Sequence, residues 1–245
     1  MEAVKQELLN RKTEMENYMR FLEIMEDGSL ENHFTNLNYD SVENERFIIN
    51  RNKLYTTMKA SVILMLYNVI ESTITNCLKK IHAEIRNNNL FFGNLNEGIQ
   101  KIILLYYLSI FDKKENMKSE IDSFMNFIHT LQQNKMVFLS YDDICKYYQL
   151  YSGNLDTKEI RSVLKKYEIE FDEHISELTD IKNKRNKLAH GINSFETIGR
   201  GLSIQRIQIL KEKVFLCMDK VIESVEKYLI NKRYLNSNNS TNSQL

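Results

Sequence analysis

Proline is absent from this 245-residue chain, and glycine occurs only 7 times. With so few breakers, long uninterrupted helices are expected and a β-sandwich or barrel is not. Cysteine is scarce as well: Cys77, Cys145 and Cys217 form an odd and widely spaced set. That spacing argues against a disulfide framework or a CxxC metal knuckle and for a reducing compartment. Neither sign of charge is in excess, the formal net charge being +0, so no global field draws the chain to nucleic acid or membrane. Any affinity for RNA must come from a local basic patch. The opening stretch MEAVKQELLNRK is charged from its second residue, unlike a signal peptide. The longest apolar run, residues 102–111, is too short to span a bilayer. A cytoplasmic location with no membrane partner is expected.

Several reactive signatures are missing too. There is no Walker A loop, no GxSxG and no HExxH, and His33, His82, His129 and His174 are scattered. A zinc site is therefore not expected, and no cofactor is implied. Asp142-Asp143 and Asp172-Glu173-His174 are capable of holding a metal, but surface acids are the commoner reading.

What is present is ordinary for a soluble globular chain: 42% hydrophobic and 27% charged residues, with length for one sizeable core or two small ones. Residues 2–26 read as a first helix on Val4, Leu8, Met15, Met19, Leu22 and Met25, followed by a turn at Asp27-Gly28-Ser29 and a polar link through Asn38 and Asp40. A very long helix over about 41–85 carries the spine Ile63, Leu66, Ile70, Ile74, Leu78, Ile81 and Ile85. Its narrow polar arc is Ser61, Asn68, Glu71, Ser72 and Thr75. Further helices are expected over about 96–111, 115–132, 141–148 and 157–167, the last capped by Asp156. Met136, Val137, Phe138 and Leu139 suit a brief extended piece. After a loop holding Asn193, Gly199 and Gly201, Ser203 caps a final helix reaching about residue 234. The expected organisation is a single domain over 1–235 with an accessory helical insertion at about 113–173. A disordered polar tail follows at 236–245.

The stretch 175–191, ISELTDIKNKRNKLAHG, departs from ordinary helix patterning. Ile175, Leu178, Ile181 and Leu188 make an apolar stripe, and Arg185 sits in its middle. A permanently charged guanidinium there costs stability unless an anion or ligand meets it. His190 follows five residues later, and Gly191 is the expected helix-ending C′ residue. An arginine followed at once by Asn, Asp or His and then, four to six residues from the arginine, by His is expected by chance roughly 0.1 times in such a chain, so this match carries weight.

With RNKLAHG in view, the chain resembles the HEPN superfamily, whose signature is an arginine, a polar residue, a short spacer and a histidine. The helix containing LYNVIEST is similar to helices of HEPN-like nucleases in bacterial conflict and defence loci. The resemblance covers about residues 41–90 and 175–234. It implies an all-α fold, a HEPN-like antiparallel bundle with long central helices, and a homodimer with metal-independent endoribonuclease activity. HEPN toxins controlled by AMP transfer carry a tyrosine two residues past the histidine, where this chain has Ile192.

The residue chemistry agrees with that implication. Cleaving RNA by its own 2′-hydroxyl needs a proton acceptor, a proton donor for the leaving oxygen, and positive charge on the phosphorane. His190 suits proton transfer, and a helix C-terminus favours its protonated form. Arg185 suits the phosphorane, Asn186 lies one turn before His190 to orient its ring, and Glu71 is a candidate partner for either. Lys182, Lys184 and Lys187 are the candidate backbone-binding patch for a tRNA or mRNA. Lys165, Lys166, Arg200 and Arg206 are candidate extensions of it, and Tyr147, Tyr148, Tyr151 and Phe195 are candidates for stacking bases, though aromatics at helical spacing are more often core. Residues five apart diverge by roughly 140° on a helix, and a two-fold dimer resolves this by facing two motifs across one cleft. A toxin or phage-defence effector, with an antitoxin or sensor partner, is the expected setting. The alternative is a non-catalytic HEPN-like module binding RNA, nucleotide or protein.

Overall fold

The computed structural model describes residues 1–27, 41–112, 121–122, 124–125, 127–129, 140–151 and 153–236. The expected link from Gly28 through Asn38 and Asp40, the extended piece at 136–139, much of the helix at 115–132 and the tail from 237 lie outside the described residues. The fold is all-α. The helices are α1 (Glu2–Glu26), α2 (Ser41–Asn87), α3 (Glu97–Asp112), α4 (Tyr141–Tyr147), α5 (Thr157–Lys166), α6 (Ser176–Ala189), α7 (Phe195–Arg200) and α8 (Ile204–Ile230), with a 3-10 turn at Phe92–Asn94. The apolar spacings of α1 and α2 hold: the six α1 residues and all seven of the α2 spine are buried. Arg51–Asn87 within α2 is long and apolar enough to cross a bilayer, but 56% of its most apolar window is buried inside the chain, as in a core helix. The three cysteines form no disulfide, Cys77 and Cys217 being buried and Cys145 exposed.

The chain gathers into two compact units, one of Glu2–Thr73 with Ile175–Met218 and the other of Ile74–His174 with the chain from Asp219 onward. In the first, the buried faces of α1, α2, α6 and α8 supply Leu8, Met15, Leu22, Ile63, Leu66, Leu178, Ile181, Ile207 and Leu210. Tyr18 OH donates to the Met58 carbonyl at 3.1 Å and Lys59 Nζ to the Leu202 carbonyl at 2.7 Å. The segment expected to be a loop around Gly199 holds α7, capped by Ser194, whose Oγ accepts from Thr197 N–H at 3.1 Å. Gly199 sits on α2 so closely that a Cβ there would lie 1.8 Å from the Thr56 carbonyl oxygen. Helical glycine normally weakens a helix; here it permits the close approach of two backbones. Gly199→Ala is expected to cost about 1–3 kcal/mol or more by overpacking, lowering the thermal midpoint by about 2–4 °C per kcal/mol. Gly201→Ala is the control: its Cβ would meet only the Ile198 carbonyl, at an ordinary 3.6 Å.

In the second unit the core comes from α2, α3, α5 and α8, through residues such as Leu78, Ile81, Ile102, Ile160, Leu164, Val221 and Val225. Asp156 caps α5 as expected, accepting from Glu159 N–H at 3.0 Å. Buried His82 and Tyr167 share a 2.8 Å hydrogen bond between Nε2 and the phenol. The last helix stops at Ile230, short of 234, because other partners take its backbone groups. Lys232 adopts φ 50°, and Arg233 N–H returns to the Tyr228 carbonyl at 3.0 Å. Beyond it, Asn96 N–H donates to the Tyr234 carbonyl at 2.9 Å, and Asn236 N–H to the Asn94 carbonyl at 2.8 Å. Among the described residues, no three His, Cys, Asp or Glu side chains gather as a metal-binding group.

Candidate functional site

The first unit contains the whole of the motif. Helix α6 buries Leu178, Ile181 and Leu188, with Ile175 buried just before it, so the predicted stripe is its packed face. At its end His190 takes φ −91°, and Gly191 takes the left-handed φ 66° that a side chain would resist. Ile192 N–H then bonds the Lys187 carbonyl at 2.9 Å and Gly191 N–H the Leu188 carbonyl at 3.2 Å. This is a Schellman closure, and it satisfies carbonyls that the helix end would otherwise leave open. The same closure holds His190 at the rim of the unit, where it is exposed. Its ring makes no hydrogen bond or ion pair among the described residues; only its backbone N–H is engaged, to the Asn186 carbonyl at 3.0 Å.

Arg185, the misfit of the stripe, keeps its side chain 28% exposed, as the edge of a packed face permits. Its guanidinium carbon lies 4.5 Å from the centroid of the Tyr67 ring. Its Nη1 donates to Asn186 Oδ1 at 3.1 Å, and Nη2 lies 3.8 Å from Glu71 Oε1. The structure therefore places Glu71 beside the arginine, one of the two positions open to it from the sequence. Asn186, expected beside the imidazole, has its amide oxygen taken by Arg185. Tyr67 is absent from the sequence-derived set. It stands four residues before Glu71, so the two share one face of α2, and that spacing is the signal that would have found it.

The lysines around the motif are unequal. Lys184 and Arg206 both bond Asp180, the latter at 3.0 Å, and Arg200 bonds Glu196. Lys182 is half-buried, while Lys187 is exposed. Much of the expected basic patch is thus matched by carboxylates within the same unit. Lys165 and Lys166 belong to the other unit, where Lys166 bonds the Leu150 carbonyl.

Partial burial pushes the Asp180 carboxyl up, but the hydrogen bonds and charges of Lys184 and Arg206 outweigh it and hold the group below its ordinary 3.8. A carboxyl depressed on folding adds stability above its unfolded pKa and loses it as pH falls through the folded value. Asp180→Asn is accordingly expected to lower stability by about 0.5–1 kcal/mol at pH 7, the range of a half-exposed pair. Urea unfolding at descending pH should show that difference shrinking below about pH 4, the region of the unfolded carboxyl.

A family model described as HEPN_MAE_28990:/-like HEPN matches residues 1–234. No curated protein and no solved structure matches the chain.

Proposed function

This chain belongs to the HEPN family matched over residues 1–234, and from that premise we propose that it is a metal-independent endoribonuclease working through Arg185 and His190. The observation that carries the reading is that one helix end presents a braced, part-exposed guanidinium and an exposed imidazole whose ring is unbonded among the described residues. The first is a ready phosphate holder and the second a ready proton carrier.

In the proposed reaction a base takes the 2′-hydroxyl proton, and the 2′ oxygen forms a bond to phosphorus. Arg185 stabilises the charge that grows on the phosphorane oxygens. The bond from phosphorus to the 5′ oxygen then breaks, and protonated His190 supplies the proton that the leaving oxygen needs. The products are a 2′,3′-cyclic phosphate and a 5′-hydroxyl. One motif histidine per chain serves one proton transfer, so a two-fold homodimer, with the second copy's histidine as base, completes the pair. The proposed substrate is a tRNA or mRNA, and the setting that of a toxin or defence effector restrained by a partner protein in the cytoplasm. The non-catalytic alternative draws support from the Glu71 and Asn186 contacts, which partly occupy the guanidinium internally.

With Lys184, Arg206 and Arg200 matched by acids, the part-exposed Arg185 and the exposed Lys187 are the motif's cations for phosphates. Affinity for single-stranded RNA should then fall with salt at a log–log slope of about −1.4, shallow for an RNA-binding surface. The deciding experiment is incubation with total RNA in EDTA. Fragments ending in cyclic phosphate and 5′-hydroxyl are expected; intact RNA, or fragments with 3′-hydroxyls, refute the proposal.

A further inference from the structure

The motif alone does not say what holds the Arg185 guanidinium in place. Of its three neighbours, Glu71 lies at 3.8 Å, beyond the roughly 2.7–2.9 Å of a formed charge-assisted hydrogen bond, and its side chain is 33% exposed. Asn186 is the adjacent residue on α6 and moves with the arginine it bonds. Tyr67 differs from both: it is 0% exposed, packed in α2, and presents its ring to the guanidinium carbon at 4.5 Å. A buried ring is a fixed surface, and attraction between a cation and its π face strengthens as water is excluded.

The contact with an aromatic ring has a second consequence. A guanidinium has five N–H donors, all in its plane. An aromatic ring offers those donors no oxygen acceptor, whereas a buried carboxylate in the same place would take two. With one donor given to Asn186, the others remain available for phosphate oxygens. The geometry points to Tyr67 as the positioning residue for Arg185: its buried ring holds the guanidinium in place and leaves the N–H donors for a phosphodiester. This assignment rests on the nuclease reading for its purpose, though not for its geometry.

The test uses full-length protein labelled with 15N-arginine, the Arg185 side-chain resonance being assigned by its loss in Arg185→Lys. Wild type should show that resonance displaced by the ring current of Tyr67. Tyr67→Phe and Glu71→Gln should keep it displaced, and Tyr67→Leu should return it to the position of a freely exposed arginine. In cleavage assays Tyr67→Leu should lower kcat about 10²-fold with little change in KM, as expected of a misplaced catalytic group, and Tyr67→Phe should restore most of it. In an Arg185→Ala background, Tyr67→Leu should have no further effect. Should the leucine variant fail to fold, Tyr67→Met fills the space without a ring. Loss of the displacement in Glu71→Gln, its survival in Tyr67→Leu, or wild-type kcat in the leucine variant would overturn the assignment. A wild-type protein that leaves RNA intact refutes the nuclease reading instead, while the resonance still decides whether the ring holds Arg185.

Discussion

His190→Ala is expected to reduce RNA cleavage by about 10²–10⁴-fold, the usual contribution of a positioned general acid or base. The same variant should unfold at the wild-type midpoint, because the ring is exposed and makes no bond among the described residues. Its backbone N–H bond to the Asn186 carbonyl is one that alanine keeps. Activity and stability should therefore separate cleanly in this variant, as they would not for buried Leu188 two residues earlier. Leu188→Ala should cost about 2–5 kcal/mol, and its loss of activity would say nothing about chemistry. Cleavage by His190→Ala at the wild-type rate would remove the central claim.

Arg185→Ala carries the second large effect. Removing a preorganised group that faces developing charge costs about 10²–10³-fold in kcat. The loss in folding stability should be far smaller. The contact with Tyr67 contributes about 1 kcal/mol at a partly exposed site, and a loose pair with Glu71 less than that. Arg185→Lys is the sharper variant: it keeps the charge but loses the planar fork that grips two phosphate oxygens at once. Activity in the lysine variant near wild type would mean that charge alone suffices, and the positioning of the guanidinium argued for Tyr67 would have no purpose.

The candidate site was legible in the sequence to the extent that it is local. Arg185 announced itself as a charge within an apolar stripe, and Gly191 as the residue that closes the helix before Ile192. Both judgements depend on residues within a few positions of each other. The matching of Lys184 and Arg206 by Asp180 was only half visible. Asp180 lies four residues before Lys184, a spacing that pairs them on any helix, but Arg206 reaches the same carboxylate from α8.

The sequence by itself determined that this is an all-helical chain. It also determined where α1 and α5 lie, which faces of α1, α2 and α6 are buried, and how α6 ends, because spacing and capping act within one or two helical turns. Only the tertiary structure decided the rest. Gly199 is a contact with Thr56 and not a loop residue, since no local signal records that a distant carbonyl occupies the space of its Cβ. The chain that follows the final helix is held at Tyr234 and Asn236 by Asn96 and Asn94, more than a hundred residues earlier. Tyr67 stands behind Arg185 because α2 and α6 pack in one register among many that their apolar faces would allow. Side-chain and backbone partners brought together across such separations are set by the packing of whole helices, which no window of sequence contains.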